Sequence, residues 1–358
     1  MRKLWLALIV VFVALQALPP GTAEAQINRA SIKKNNKRIG HYRGNASNFA
    51  KTKAYSGIGF SVNALNYYGD LSPLPKKVST DISFTRPGFG ASFMHRFGPR
   101  YTVLGTLMFG TLRGSDAESA NKDDLSNGVY RYKRNLSFKN PIQELSAVAV
   151  IDLFPNDGNY IARVKWTPYV FAGIAIFHMQ PKGQAPATDV HGTALSEAGK
   201  WVNLRPLGTE GQYSTLDPTD ANYGIKPYSL IQVSVPFGFG ARLKLTETLD
   251  LWADIGFRYT FTDYLDDVSK NYVDLNVLKN PLAQSMSYRT NELGLSTSTH
   301  TYTSTRNGKT ETYTVEAGYG EENPSNNRGN KNNKDIYMVT SIRLTHIIGA
   351  TYHRAKFR

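Results

Sequence analysis

The chain has 358 residues, a formal net charge of +14, 21 Tyr, 17 Phe, 30 Gly and no cysteine. Without cysteine it has no disulfides and no lipid-modified N-terminal cysteine, so packing or a membrane must hold it together. The basic excess suits an acidic partner or an anionic surface.

The N-terminus sets the compartment. Arg2 and Lys3 precede an apolar run from Leu4 to about Leu18, then Pro19-Pro20-Gly21 and Ala23-Glu24-Ala25. A positive start, a short apolar core and a small-x-small end predict a secretory signal over residues 1–25. Export argues against nucleic acid as a partner. Residues 26–54 form a basic arm: Arg29, Lys33, Lys34, Lys37, Arg38, Arg43, Lys51 and Lys53, with no acidic residue among them. It reads equally as a solvated tail or as a periplasmic arm meeting an acidic protein or anionic head groups. Beyond it, no apolar stretch reaches the roughly 20 residues of a membrane-crossing helix.

Period-two alternation then dominates. Ile58, Phe60, Val62 and Ala64 alternate with Gly57, Gly59, Ser61 and Asn63, and Phe89, Ala91 and Phe93 alternate with Gly90, Ser92 and Met94. Ile231 to Leu243 repeats the pattern, and Leu249, Leu251, Ala253, Ile255, Phe257, Tyr259 and Phe261 alternate with Asp250, Trp252, Asp254, Gly256, Arg258 and Thr260. Such runs predict strands with one apolar and one polar face. Eight are expected, near 55–67, 86–97, 100–114, 140–154, 164–179, 229–244, 248–262 and 335–349; the third, fifth and eighth alternate less cleanly. Long connections (68–85, 115–139, 180–228 and 263–334) alternate with short ones such as Gly98-Pro99. A soluble β-sandwich gives no reason for that asymmetry, whereas membrane barrels have short periplasmic turns and long external loops. The expected fold is all-β: an eight-stranded antiparallel transmembrane up-and-down β-barrel over 55–350, with a periplasmic tail at 351–358. An even strand count puts both termini in the periplasm of an outer-membrane protein.

An eight-stranded barrel has an interior just wide enough for side chains to fill. Arg96, Glu144, Arg242, Asp254, Arg258 and Arg343 lie on the polar parity and are expected to form a mutually satisfied lumen network, since unpaired charges there would be costly. That argues against an open pore. The Gly57/Gly59, Gly88/Gly90 and Gly238/Gly240 pairs lie on the same parity, where they permit close packing rather than phosphate binding. The seven His residues are scattered, with no HExxH spacing, and no serine sits in GxSxG. No catalytic, metal or cofactor residue is assigned.

Within the last long connection, Ser296–Glu316 reads as a hairpin turning at Asn307-Gly308, and 320–334 as a mobile polar loop. The stretch "FTDYLDDVSKNYVDL" (261–275) gathers carboxylates in a basic chain. The spacing of a calcium loop is absent. Asp263, Tyr264, Asp266 and Asp267 therefore read as the rim where the seventh strand leaves the membrane, with Lys270 or Arg289 as counter-charges.

The stretches "NYYGDL" (66–71), "RPGFGASF" (86–93), "NLSFKNPIQELSAV" (135–148), "TPYVFAGIAIF" (167–177), "LRPLGTEGQ" (204–212), "VPFGFG" (235–240) and "FRYTFTDYLDDVSKNYVD" (257–274) resemble the PorG-like outer-membrane β-barrels of Bacteroidota. The resemblance covers most of 55–275. It implies a non-enzymatic component of the type IX secretion machinery, embedded in outer-membrane lipid. Its implied partners are periplasmic ring proteins, a lipoprotein and its companion. A small solute channel and an adhesin with ligand-binding external loops are the competing readings.

Overall fold

The structure, a computed structural model, describes residues 53–71, 84–303 and 310–348. The signal segment, most of the basic arm, the Asn307-Gly308 turn and the C-terminal tail lie outside the described residues.

Alternating segments become strands because each can turn its apolar side outward and its other side onto a common interior. Among the described residues twelve strands form: β1 (Tyr55–Tyr68), β2 (Arg86–Arg96), β3 (Tyr101–Ser115), β4 (Ser137–Asp152), β5 (Trp166–Met179), β6 (Lys182–Gln184), β7 (Trp201–Asn203), β8 (Ile231–Lys244), β9 (Leu249–Thr260), β10 (Ser298–Thr303), β11 (Thr310–Val315) and β12 (Ile336–Ile348). Eight of them pair antiparallel in the order β1-β2-β3-β4-β5-β8-β9-β12. The ring closes where β12 pairs with β1 from Ser56↔Ile348 to Tyr68↔Ile336. The short strands β6 and β7 extend β4 beyond the ring, and β10 and β11 form a separate hairpin from Ser298↔Val315 to Thr303↔Thr310.

The outward face is apolar: Phe60, Val62, Phe93, Leu107, Leu145, Ile174, Phe239 and Ile342 are all exposed. Covering a closed ring with exposed aliphatic and aromatic side chains suits lipid, not water. At the short-turn end Phe97 stacks on Tyr101, centroids 6.2 Å apart, with Trp166 exposed nearby in sequence to that end. Toward the long-loop end Tyr259 and Phe261 meet edge to face.

The inward face is less polar than its sequence parity promised. Tyr55, Met94, Leu104, Val148, Val150, Tyr169, Phe171, Trp252 and Ile347 form one buried cluster there. Glycine makes room for its rings: a Cβ at Gly240 would lie 2.7 Å from Tyr169 Cζ, and one at Gly238 2.8 Å from Phe171 Cζ. Among the described residues, the lumen retains a cavity of about 20 Å³ beside Tyr169, Phe171 and Arg343, room for about one water.

The long connections also fold. Leu216, Tyr272, Val273, Leu275, Tyr288, Tyr313, Val315 and Tyr319 make an apolar core of their own. Residues 320–334, expected to be mobile, are mostly exposed but anchored at points: Tyr272 N donates to Asn326 O, Arg328 N to Lys270 O, and the Arg328 side chain is buried. The stretch lacks large apolar groups, but a buried guanidinium and paired backbone amides hold it instead.

Because the chain has no cysteine, the closing register can be tested directly. Phe60→Cys with Leu344→Cys, a directly opposed pair, should cross-link in the folded barrel and shift its mobility on a non-reducing gel. Phe60→Cys with Arg343→Cys, whose side chains point to opposite faces, should not cross-link.

Candidate functional site

Two sets of buried charges merit description, one in the lumen and one at the long-loop end. The six lumen residues named from sequence all lie inside, but as three separate tiers. At the short-turn end Arg96 Nη1 and Arg242 Nη2 both donate to Asp152 Oδ2 at 2.6 Å, and Arg242 lies 4.9 Å from the Trp252 ring centroid. In the middle Asp254 Oδ2 accepts from Tyr169 at 2.9 Å and lies 3.8 Å from Arg343. Above, Glu144 Oε2 accepts from Tyr337 at 2.5 Å and from Arg258 Nε at 3.4 Å. Sequence reasoning missed Asp152, which shares the inward parity of Glu144, and it missed the tyrosines. It also missed Arg163, in a short connection, which donates to Asp250 at 2.8 Å and to the carbonyls of Thr246 and Glu247.

The acidic stretch builds the second set. Phe261 is the last lipid-facing ring, and beyond it Asp263, Asp266 and Asp267 are all buried. Asp266 and Asp335 meet across one hydroxyl: Tyr67 Oη lies 2.7 Å from Asp266 Oδ2 and 2.8 Å from Asp335 Oδ1. Their other oxygens accept from the backbone amides of Val268 and Leu265, both at 2.9 Å. The Tyr67 hydroxyl is the donor to both carboxyls, which share its one hydrogen. Burial, followed by the charges of Asp335 and Asp70, raises the Asp266 carboxyl well above its ordinary range. Burial, followed by Asp263 and Asp70, does the same for Asp335. Burial and the neighbouring carboxyls therefore favour the protonated form of each.

Asp267 behaves differently. Its φ of 68° is left-handed, a conformation Asp and Asn tolerate better than most residues. Its carboxylate accepts from Thr209 and Tyr228, each at 2.6 Å, and lies 3.9 Å from Arg328. Arg328 Nη1 in turn donates to Glu210 Oε1 at 3.0 Å and to Asp267 O at 2.6 Å. Glu210 Oε1 also accepts the backbone amides of Ser269 and Lys270. The counter-charge to this rim is thus Arg328, neither Lys270 nor Arg289; Arg289 pairs with Glu292 at 2.5 Å. Burial still pushes Asp267 up to about 6, against the pull of Arg328. It pushes Asp263, which accepts from Ser269 Oγ at 2.7 Å, up to about 7, and Asp274 up to about 6.

These bonds draw distant segments together. Asn140 Nδ2 donates to Leu265 O at 2.7 Å, and Arg134 reaches Asp116, Asp70 O and Arg328 O. Among the described residues no group of three or more His, Asp or Glu side chains is placed to hold a metal ion. The rim carboxylates accept hydrogen bonds from their neighbours, so the arrangement acts as a clamp on the long connections.

Residues 46–188 match a family model described as a domain of unknown function (DUF6089). No curated protein matches the chain. Among solved structures, the chain is similar to Ail, the attachment invasion locus protein of Yersinia pestis, solved with the heparin analogue sucrose octasulfate, at 9% identity over 83% of this chain and 99% of that one, TM-score 0.31. It is similar to Neisserial surface protein A at 7% identity over 82% and 97%, TM-score 0.32. It is similar to the outer membrane protein OprG from Pseudomonas aeruginosa at 8% identity over 83% and 98%, TM-score 0.34. Likenesses at this level carry no argument, and the barrel rests on its own strand register.

Two outcomes follow from the geometry. Asp152→Ala strands two buried guanidinium groups and should cost about 3–5 kcal/mol, read as a lowered urea midpoint for loss of the folded barrel's gel mobility. At the rim, the raised pKa values mean that the folded state binds more protons than the unfolded chain. Rim stability is then complete below about pH 4, the ordinary carboxylate range, and falls as pH rises through 6 to 7. Hydrogen-exchange protection factors over 265–273, corrected for the base-catalysed intrinsic rate, should accordingly fall between pH 5 and pH 8. Asp263→Asn and Asp267→Asn, which remove the carboxyls that titrate in that window, should each flatten the dependence.

Proposed function

We propose that the protein is a non-enzymatic, non-conducting outer-membrane barrel that anchors or links a periplasmic ring complex of the type IX secretion machinery. The observation that carries the non-conducting part is the filled lumen. Three tiers of paired charges and a cluster of aromatic and aliphatic side chains leave a cavity of about 20 Å³ beside Tyr169 and Phe171. An export signal, an apolar belt and short turns opposite long loops favour the outer membrane, with the turns facing the periplasm.

The secretion role is supported by the resemblance of seven sequence stretches to the PorG-like barrels. Four of those stretches meet at the rim. Tyr67 from "NYYGDL", Asn140 from "NLSFKNPIQELSAV", Glu210 from "LRPLGTEGQ" and Asp266 from "FRYTFTDYLDDVSKNYVD" all take part in its hydrogen bonds. The short turns and the basic arm, with Arg29, Lys33, Lys34, Lys37 and Arg38, form the contact surface in this reading. A second reading, a platform whose external loops bind a ligand, draws on the cap's own apolar core.

Two measurements decide between these. In planar bilayers the purified barrel should be silent; large, steady openings would favour a channel. Deleting residues 27–50 should weaken co-purification with periplasmic ring proteins while the barrel stays inserted. Undiminished recovery of the ring would remove the arm from the mechanism.

A further inference from the structure

A row of cations crosses the outer face of the barrel just above its apolar belt. Arg113 on β3 lies directly opposite Lys139 on β4, and Lys139 directly opposite Lys182 on β6. Directly opposed residues of an antiparallel pair point to the same face, and like charges there destabilise the sheet. The face is the lipid-facing one, because Arg113 and Lys139 share the outward parity of Leu107, Phe109 and Leu145. Arg86 joins them around an open cleft of about 340 Å³, lined also by Thr111 and Trp201. Arg113 pairs with Glu118 and Arg86 donates to the Thr85 carbonyl; among the described residues Lys139 and Lys182 show no carboxylate partner. Lys139 Nζ instead sits 5.5 Å from the centroid of the exposed Trp201 ring.

Height decides what kind of anion this row can meet. Phe89 and Phe109, opposed across β2 and β3, are the exposed rings beneath it. Arg113 is four residues beyond Phe109, about 14 Å along the strand at ~3.4 Å per residue. With strands tilted about 40°, that is roughly 10 Å in height. The step goes from hydrocarbon into the polar head-group layer, where an indole ring and long basic side chains are at home. A free anion from bulk water would have no use for the apolar wall below.

We propose that the Arg113–Lys139–Lys182 row, with Arg86 and Trp201, binds the phosphate groups of an anionic membrane lipid whose acyl chains lie against Phe89, Phe109, Leu107 and Leu145. Arg113 and Arg86 offer planar forks to phosphate oxygens, and the two lysines add point charges. The lipid phosphates relieve the repulsion that the strand register imposes on the row. The site is distinct from the proposed periplasmic contacts, since it lies at the opposite end of the barrel.

The test uses the full chain in detergent micelles with diphosphoryl lipid A as the probe, and its fully dephosphorylated form as control. Native mass spectrometry counts the lipids retained per barrel. The wild type should retain the phosphorylated probe and not the control. Arg113→Gln with Lys139→Gln and Lys182→Gln should weaken retention on the order of 100-fold, given about 1 kcal/mol per basic residue at a charged membrane surface. Arg113→Lys should keep most of it, and heat-modifiable gel mobility should show both variants folded. Equal retention by the triple variant, equal retention of the dephosphorylated form, or displacement by millimolar inorganic phosphate would each overturn the assignment. Ring co-purification should be unchanged in the triple variant, so this site and the proposed secretion role fail separately.

Discussion

Closure of the ring between β1 and β12 is the constraint on which the rest depends. In lipid no water can satisfy a backbone amide or carbonyl, so a sheet can span only if its two edges find each other. Thirteen residue pairs, from Ser56↔Ile348 to Tyr68↔Ile336, perform that closure between strands about 270 residues apart in sequence. Everything between them must return the chain to this seam. Once the ring is closed, the two faces face different solvents, and each strand's alternation is fixed by which side meets lipid.

The inside must then be filled without water's help. Eight strands leave little room, and the chain fills it with two kinds of group. Charged residues enter in sets, each with a carboxylate held by an arginine or tyrosine, although several guanidinium nitrogens, Nε and Nη1 of Arg343 among them, keep no hydrogen-bond partner. Around the sets pack Trp252, Tyr169 and Phe171, the last two admitted by Gly240 and Gly238. A large ring beside a missing Cβ is a steric pairing, and it explains why glycine recurs on the inward parity. Phosphate recognition has no part in it.

This division also explains what the sequence made legible. The eight strands were readable within a few residues because lipid demands apolar side chains on one parity. β3, β5 and β12 were the harder ones for a physical reason: their inward positions, such as Leu104, Met108, Phe171, Phe177 and Val339, are apolar too. Apolar residues on both faces erase the alternation without weakening the strand. Asp152 was legible in principle, lying on the same parity as Ser146 and Glu144, but it stands at the strand's last residue. Arg328 was not legible. It lies in a stretch of Asn, Gly and Ser, and only the fold brings it to Glu210 and Asp267, 118 and 61 residues away.

The seam and the rim are one mechanical unit. Tyr67 and Tyr337 oppose each other near the long-loop end of the β1–β12 pair, both turned inward and both buried. Tyr337 reaches toward the lumen and donates to Glu144; Tyr67 reaches toward the rim and bridges Asp266 and Asp335. Asp335 is the residue immediately before β12, so the same few residues end the seam and receive the rim's hydrogen bond. A cap that lifted from Tyr67 would leave the Asp266 and Asp335 carboxyls without their shared hydroxyl beside the last pair of the seam. The acidic stretch in a basic chain thus has a structural origin: it ends a strand, and its buried carboxyls fasten the long connections to the place where the barrel closes.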